Sequence, residues 1–316
     1  MNILITGGFG YLGQRLGKYL HDSGNRIYLG SRQAKKNPNW LKNGLSVVTD
    51  WNNISLSINK IKSIDLVIHS AGMNSLDCLE NPEQAHHSNG IITKKLLDLS
   101  IEKGIKRFIF LSTAHVYSDP LVGIISEDTP LKNLHPYAKS NIEGENFVID
   151  ADKKGYINSK VLRLANCFGA PLSIEADCWN LLINDICMQA FKNKKIKLKS
   201  NGSQLRNFVP INEFCRTLEY ILKNCMQDKK YSVFNIGGKT FSILEMANLV
   251  TQVYLNKYNN LIKIEKKKTT NIDKSEHLQY KMNWLEDYNF EISFEPKEEI
   301  EGLLSYCKQN FKTLSP

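Results

Sequence analysis

Short apolar runs alternate with segments of helical periodicity along the first half of the chain. The runs are rich in β-branched and aromatic residues, and they lie at residues 2–6, 26–30, 45–49, 66–69, 107–112 and 160–165. The longest intervening segments, which repeat apolar side chains every three or four positions, cover residues 11–23, 84–103 and 137–154. A glycine follows each of them, as is typical of a helix C-terminus. Apolar strands that alternate with helices predict an α/β fold with a parallel sheet covered on both faces.

The pattern changes after Gly169-Ala170-Pro171, where the segments become more polar and the loops longer. We therefore predict a main domain over residues 1–170 and mainly a smaller lobe over residues 171–316. Residues 232–241 are the candidate to return to the main sheet.

Composition narrows the classes of protein. Hydrophobic residues make up 42% of the chain and charged residues 23%, which is ordinary for a globular protein. No apolar stretch approaches the roughly 20 residues that span a membrane, and the N-terminus lacks the basic segment of a signal peptide. We therefore expect a cytoplasmic protein without a membrane partner. The seven cysteines include no Cys-x-x-Cys pair and no histidine cluster beside them, so we expect buried or inert thiols, and no metal site.

The formal net charge of +9 includes a lysine-rich run at residues 194–199. The run lacks the arginine clusters and interleaved aromatic residues of a nucleic-acid interface, so a solvated surface is favoured and no nucleic acid is expected as a partner. A mild positive field would also attract an anionic diphosphate.

A glycine-rich turn follows the first predicted strand and opens the first predicted helix. Gly7, Gly10 and Gly13 are spaced three residues apart within it. The first glycine allows a tight turn, the second lets a pyrophosphate approach the backbone, and the third lets helix and strand pack closely. The free N–H groups at the helix N-terminus suit a diphosphate. The turn predicts a Rossmann-type, doubly wound sheet that binds a dinucleotide, with further contacts at Phe9, Tyr11 and Leu12.

The second predicted strand leads into Ser31 and Arg32, where no acidic residue is present to bind the ribose 2′-hydroxyl of NAD. These two residues could instead hold a 2′-phosphate, which favours NADP over NAD; a plain surface role for Arg32 stays open. Asp50 and Trp51 follow the third strand and are predicted to contact the adenine. A loop turn or helix cap is the alternative for Asp50.

Seven motifs occur in one order along nearly the whole chain. They are residues 6–13, His69-Ser70-Ala71-Gly72, Ser112-Thr113-Ala114-His115-Val116-Tyr117, residues 127–130 with His135-Pro136-Tyr137-Ala138-Lys139-Ser140, Leu162-Arg163-Leu164-Ala165-Asn166, residues 206–211 and Asn235-Ile236-Gly237-Gly238. On these motifs the chain resembles the extended short-chain dehydrogenase/reductase family, in particular its nucleotide-sugar epimerase, dehydratase and reductase branch. The resemblance implies a nucleotide-sugar substrate and a homodimer built from the helices near residues 84 and 137.

The resemblance also implies roles for single residues. Thr113 corresponds to the family's hydroxyl that binds the reacting oxygen, and Tyr137 corresponds to its acid/base. Asn166 and Arg206 correspond to substrate contacts, with Arg206 suited to bidentate bonding of a diphosphate. The other implied contacts are Ser70, Ala71, Gly72, Asn89 and Ser112 for the cofactor, and Met73 and His115 for the substrate.

The helix of Tyr137 departs from the family's Tyr-x-x-x-Lys pattern. Asn141 stands at the lysine position, and Lys139 lies roughly 200° around the helix from Tyr137. Without a cation within about 4–6 Å, the tyrosine pKa of about 10 is not lowered. Asn141 can still hydrogen-bond the ribose, so it stays in the predicted catalytic set. A protonated Tyr137 acts better as an acid than as a base, which favours ketone reduction; an epimerase needs both directions and stays open.

Ala114 and His115 follow Thr113 where the family's dehydratases carry Asp-Glu, so a 4,6-dehydratase is not expected. For His115, an auxiliary acid/base role is the alternative to substrate contact. The leading prediction is an NAD(P)-dependent oxidoreductase or epimerase of a nucleotide-linked sugar. The missing lysine motivates one alternative, a non-catalytic NADP-binding regulatory protein, and the presence of Thr113 and Tyr137 opposes it. A reductase of a non-nucleotide alcohol or lactone is the other alternative.

Overall fold

The computed structural model describes residues 1–51, 61, 63–267 and 277–311. The strands in chain order are β1 Asn2–Thr6, β2 Arg26–Ser31, β3 Gly44–Val48, β4 Leu66–His69, β5 Arg107–Thr113, β6 Gly123–Ile125, β7 Asn158–Leu164, β8 Asn166–Phe168, β9 Lys195–Lys197, β10 Leu205–Pro210, β11 Val233–Ile236, β12 Lys239–Ser242, β13 Lys263–Glu265 and β14 Leu278–Tyr280. The α-helices are α1 Tyr11–Asp22, α2 Ser75–Glu80, α3 Pro82–Ala85, α4 Ile92–Glu102, α5 Pro136–Lys153, α6 Leu182–Asn193, α7 Ile211–Asn224, α8 Ile243–Tyr258, α9 Trp284–Asp287 and α10 Pro296–Asn310.

The main sheet has seven parallel strands among the described residues, in the order β11-β7-β5-β4-β1-β2-β3. Alternate residues of β1 enter different cores, since Ile3 and Ile5 pack in one apolar cluster and Leu4 packs in another. Helices therefore cover both faces of the sheet, which confirms the predicted Rossmann-type α/β fold. The strand order reverses between β1 and β4, and ligands of such sheets bind at the carboxyl ends of the strands beside this reversal.

Smaller sheets lie outside the main one. The strands β12, β10 and β8 form a three-stranded sheet, and β13 pairs with β9 and β14 with β6. Strand β11 pairs with β7 in the main sheet, whereas β12 pairs with β10 in the smaller sheet. A separate core around Phe168, Phe208 and Met246 includes residues of α6, α8 and α10.

The chain after residue 170 does not all belong to this second core. Phe214 and Leu218 of α7 pack in the cluster that holds Leu16 and Leu20 of α1. Trp284 is fully buried against Phe234 of β11, with ring centroids 5.5 Å apart. Apolar residues of α7 and α9 therefore complete one face of the main sheet, and the predicted boundary at residue 170 stays a prediction.

The predicted helix over residues 84–103 is present but is not a regular α-helix throughout. The chain forms α3, then a π-helix at His86–Ile91, then α4. Close packing accompanies this irregularity, since a Cβ on Gly90 would lie 2.3 Å from Oε2 of Glu143 on α5. Insertions of this kind widen a helix and are frequent at functional sites.

All seven cysteines are buried with free thiols, as the composition predicted. Within the described part of the chain, no group of three or more His, Cys, Asp or Glu side chains is arranged to hold a metal ion.

In the same residues, no helix combines the length and the apolar character needed to cross a membrane.

Candidate active site

The predicted site residues come together at the carboxyl edge of the main sheet. The glycine turn follows β1, Ser70 to Met73 follow β4, and Thr113 ends β5. Tyr137 lies in the first turn of α5. These strands are neighbours on either side of the strand-order reversal, so residues far apart in sequence lie at one edge of the sheet.

Two glycines of the turn, Gly7 and Gly13, leave no room for a side chain at their positions. Gly7 has a φ of +67°, and a Cβ there would lie 2.8 Å from the carbonyl oxygen of Ser70. A Cβ on Gly13 would lie 2.2 Å from the carbonyl oxygen of Gly7. Helix α1 is capped by Gly10, without a side-chain hydrogen bond at the cap and without an acidic residue in the first turn. Its N–H groups and partial positive charge thus suit the pyrophosphate of a dinucleotide.

The residues predicted to contact the adenosine follow β2 and β3. Ser31 ends β2, where its Oγ accepts a hydrogen bond from the backbone N–H of Gln33 at 3.4 Å, and Arg32 is exposed. The ring of Trp51 packs edge-on against the imidazole of His69, with centroids 6.1 Å apart. Asp50 is partly buried beside Trp51. The predicted adenine contacts of Asp50 and Trp51 stay predictions.

Thr113 and Tyr137 meet at the carboxyl edge of the main sheet. Burial raises the pKa of Tyr137 above its ordinary value, a hydrogen bond from the Thr113 side chain lowers it, and the nearby thiol of Cys78 raises it. Among the described residues, no cation contributes to the pKa of Tyr137, and Lys139 is exposed on the regular helix α5. The phenol is therefore protonated at neutral pH.

Asn141 is buried and bonds within its own helix. Its Nδ2 donates to the carbonyl oxygen of Tyr137 at 2.7 Å. His135 caps the start of the same helix, since its Nδ1 accepts from the backbone N–H of Tyr137 at 3.2 Å. These bonds on both sides of Tyr137 stabilise the first turn of α5.

Three side chains that were predicted to contact the cofactor bond to protein groups. The Oδ1 of Asn89 accepts from the N–H of Met73 at 2.8 Å, and its Nδ2 donates to Oγ of Ser140 at 3.0 Å. The hydroxyl of Tyr11 donates to the carbonyl oxygen of Gly169 at 3.1 Å, and that of Ser112 donates to Glu145. Asn89 thus joins the loop after β4 to the helix of Tyr137.

Arg206 of β10 lines a small cavity together with Asn166 and His115. Its Nη1 donates to Oδ1 of Asn166 at 3.4 Å and its Nη2 to Oε1 of Gln204 at 3.3 Å. The Nε of Arg206 is buried without a hydrogen-bond partner among the described residues. Burial lowers the pKa of Arg206, and the carboxylate of Asp119 acts in the opposite direction. The buried guanidinium therefore keeps one donor unsatisfied, which calls for an explanation in a native structure.

The sequence analysis missed the segment that follows β8. Arg15 of α1 donates to the carbonyl oxygen of Ala170, Lys35 Nζ lies 3.2 Å from Oε2 of Glu175, and Asn74 Nδ2 donates to Oδ2 of Asp177 at 2.9 Å. The segment thus contacts groups that follow β1, β2 and β4 in turn. Its partners lie more than a hundred positions away, with separations of 155, 140 and 103 residues, so no local pattern indicates them.

His69 is a structural histidine beneath the site. Its Nδ1 lies 2.6 Å from the hydroxyl of Thr6, and its Nε2 lies 3.0 Å from the hydroxyl of Thr93, which itself donates to the carbonyl oxygen of Asn89. Because Thr93 already donates, Nε2 carries the proton and Nδ1 accepts from Thr6. Burial lowers the pKa of His69 to about 3.

Acid should therefore destabilise the fold through His69. The imidazole titrates at about 6.5 in the unfolded chain and at about 3 in the folded one, so between these values only the unfolded state takes up the proton. We expect the wild type to lose about 2 kcal/mol of unfolding free energy between pH 7 and pH 5 through this group. Urea unfolding of the wild type and of His69→Gln at both pH values checks this, with the exposed His87→Gln as control. Equal pH dependence in the wild type and His69→Gln would contradict it.

Comparison with known proteins shows the family of the chain. Residues 3–237 match a family described as the NAD dependent epimerase/dehydratase family. A UDP-glucose 4-epimerase of Lactobacillus helveticus is 27% identical over 275 residues, which cover 80% of this chain and 82% of that protein. A UDP-glucuronate 4-epimerase of Thermodesulfobacterium geofontis is 26% identical over 337 aligned positions, which cover 98% and 97%. The structure of UDP-glucuronic acid 4-epimerase from Bacillus cereus in complex with NAD has the same fold, with a TM-score of 0.75 and 20% identity over 100% and 99% of the two chains.

Proposed function

Because the chain belongs to the NAD dependent epimerase/dehydratase family, we propose that it transfers a hydride between a nicotinamide dinucleotide and a nucleotide-linked sugar. The observation that carries this proposal is the contact of Thr113 with Tyr137 at the carboxyl end of β5. This pair lies beside a glycine turn that fits a pyrophosphate. A non-catalytic NADP-binding protein would have no chemical need for the pair.

A diphosphate-linked sugar is the substrate class that the cavity at Arg206 supports. Arg206 has a buried Nε without a protein partner among the described residues, and Asn166 lies beside it. A non-nucleotide alcohol or lactone would leave this guanidinium unpaired. Relatives named as UDP-sugar 4-epimerases support UDP as the nucleotide.

The pair of hydroxyl groups can bind the reacting oxygen and move its proton. When bound, the nicotinamide supplies the hydride donor or acceptor. Thr113 donates a hydrogen bond to the sugar oxygen, and the protonated Tyr137 gives its proton to the alkoxide that forms when a ketone is reduced. The raised pKa of Tyr137 supports ketone reduction as the favoured direction at neutral pH. Epimerisation is the second candidate, because the relatives carry that name.

Product analysis distinguishes these reactions. The enzyme would be incubated with UDP-glucose, UDP-glucuronate and UDP-linked 4-keto sugars, with NADH or NADPH present, and the products identified by NMR. We expect a reduced sugar from the keto substrates. Interconversion of 4-epimers without net reduction would favour the second candidate, and no product from any diphosphate sugar would contradict the proposal.

The absent lysine leads to a prediction about direction. Asn141→Lys would place an ammonium one helical turn from Tyr137 and lower the pKa of the phenol by at least about one unit, so that about tenfold more phenolate is present at neutral pH. Alcohol oxidation at neutral pH should rise by about tenfold, with a smaller change in reduction. The pH–rate profiles of both directions check this, and the uncharged Asn141→Gln is the control. Unchanged oxidation in Asn141→Lys would refute this account of the tyrosine.

We also propose NADP rather than NAD as the preferred cofactor, from Ser31 and Arg32 at the end of β2. Arg32→Ala should weaken NADP binding by about tenfold, the loss of roughly one charge-assisted hydrogen bond, and leave NAD binding unchanged. Calorimetric titration with each dinucleotide measures this, with the nearby Lys36→Ala as control. The similar Bacillus cereus structure was solved with NAD, so NAD is the competing assignment. Tighter binding of NAD that is insensitive to Arg32→Ala would assign NAD.

The predicted homodimer through α4 and α5 also stays a proposal. Exposed charged residues occupy the outer face of α4, where Lys94 pairs with Asp98 at 2.5 Å. Light scattering of the purified protein gives its oligomeric state directly.

A further inference from the structure

His115 occupies the position between the reacting pair and the anion-binding arginine. Its backbone N–H donates to Oγ1 of Thr113 at 3.2 Å. Its side chain lines a cavity together with Asp119, Asn166 and Arg206. A sugar that joins the Thr113 and Tyr137 end to a diphosphate on Arg206 would therefore pass this imidazole.

We propose that His115 takes up a proton when a diphosphate-linked sugar binds, so that the occupied site holds the diphosphate between two cations, His115 and Arg206. This inference rests on the proposed function. It assigns His115 as a specificity-determining residue whose charge depends on the ligand, because only a substrate with an anionic linkage beside Arg206 would convert it to the cation.

The charged groups around His115 explain why it is neutral before binding. Asp119, on the same segment, lies 3.8 Å from Nδ1 through Oδ1. Arg206 approaches from β10, and His135 from the segment before α5. Burial lowers the pKa of His115 most, Arg206 and His135 lower it further, and Asp119 opposes them. The lowering contributions prevail, so the imidazole is neutral at pH 7.

An anion would reverse this balance. A diphosphate bound to Arg206 would neutralise the cation that repels the protonated imidazole, and it would bring its own negative charge close to the imidazole. In a poorly solvated cavity a charge at contact distance shifts a pKa by about one to three units. The shift is upward, so the bound state takes up protons at neutral pH and binding weakens as the pH rises.

His135 is the neighbouring group that must be distinguished from His115. Its Nδ1 accepts the hydrogen bond that caps α5. His135→Asn keeps a side-chain acceptor for the cap and removes the imidazole, so it is the matched variant for His115→Asn.

Calorimetric titration with UDP-glucose, whose diphosphate diester does not titrate near neutral pH, measures the linkage. Binding heats of the wild type in buffers of different ionisation enthalpy at pH 7 should show uptake of about half a proton or more per site. Binding affinity should fall as the pH rises, most steeply, by up to about tenfold per pH unit, where the free imidazole is neutral and the bound one is protonated. His115→Asn should bind without proton uptake and with a flat pH dependence, whereas His135→Asn should behave as the wild type.

The outcomes separate this inference from the proposed function. Binding of UDP-glucose by the wild type without proton uptake, or loss of the uptake in His135→Asn alone, would overturn the inference and leave the proposed function standing. Failure of UDP-, GDP-, CDP- and dTDP-linked sugars alike to bind to the wild type with its dinucleotide would overturn both.

Discussion

Tyr137→Phe should lower kcat/KM for reduction of a keto-sugar nucleotide by about 10²–10⁴-fold, the usual contribution of a positioned general acid. The substitution removes one hydroxyl and keeps the ring that packs at the start of α5. Substrate and dinucleotide affinity should change little, because the proposed contacts with these ligands come from Arg206, Asn166 and the glycine turn.

Steady-state kinetics and binding titrations on the same preparations check this result. Tyr156→Phe is the control, since its ring is 63% exposed on the protein surface, and it should be indistinguishable from the wild type. Activity of Tyr137→Phe within a few-fold of the wild type would show that another group donates the proton.

The second large effect is on the stability of the fold, and it concerns a buried ionic network beneath the site. Arg163 of β7 donates to both carboxylate oxygens of Glu145 on α5, with Nη2 2.7 Å from Oε2. Its Nη1 donates to the hydroxyl of Tyr117 at 2.8 Å, and that hydroxyl donates to Oδ1 of Asn235 on β11 at 2.7 Å. Glu145 is fully buried and Arg163 is 4% exposed. Ser112 of β5 also donates to Glu145, so three strands of the sheet are joined to the helix that carries Tyr137.

Arg163→Met should lower the free energy of unfolding by about 3–5 kcal/mol, because it leaves the Glu145 charge buried without its partner. The double variant Arg163→Met with Glu145→Leu should recover part of this loss, since no uncompensated charge remains. Urea unfolding at neutral pH measures all three proteins. Lys18→Met, which removes the exposed pair of Lys18 with Asp22, should change stability by no more than about 1 kcal/mol. A comparably small loss in Arg163→Met would contradict the account.

Much of the main sheet could be predicted from local patterns. Each buried strand is a short apolar run. All four residues of β4 are buried, as expected for a strand of a parallel sheet that is covered on both faces. The glycine turn was also predictable, because steric exclusion at Gly7 and Gly13 acts between residues close in sequence or at the adjacent strand end. The order of the motifs along the chain also predicted that Thr113 and Tyr137 belong to one site.

The contacts between distant segments could not be predicted in the same way. The π-helix at His86–Ile91 accompanies the close approach of Gly90 to Glu143 across a helix interface, and no periodicity within the helix reports that neighbour. The partners of Asn89 and the neutral state of His69 likewise depend on groups from other elements. The sequence motifs identify such residues, but the packing of other elements determines which groups their side chains contact.

The measurement that tests the central claim most directly is deuterium transfer from NADH or NADPH labelled at the nicotinamide C4 to a UDP-linked 4-keto sugar. In the proposed reduction the carbonyl carbon would gain the deuteride, its oxygen would gain the proton of Tyr137, and the labelled dinucleotide would be the hydride source that is oxidised. We expect the recovered sugar nucleotide to gain one deuterium on carbon with the wild type, and the transfer rate to collapse with Tyr137→Phe. A protein that binds both ligands and transfers no deuterium to any diphosphate-linked keto sugar, or transfers it equally without the phenol, would contradict the account.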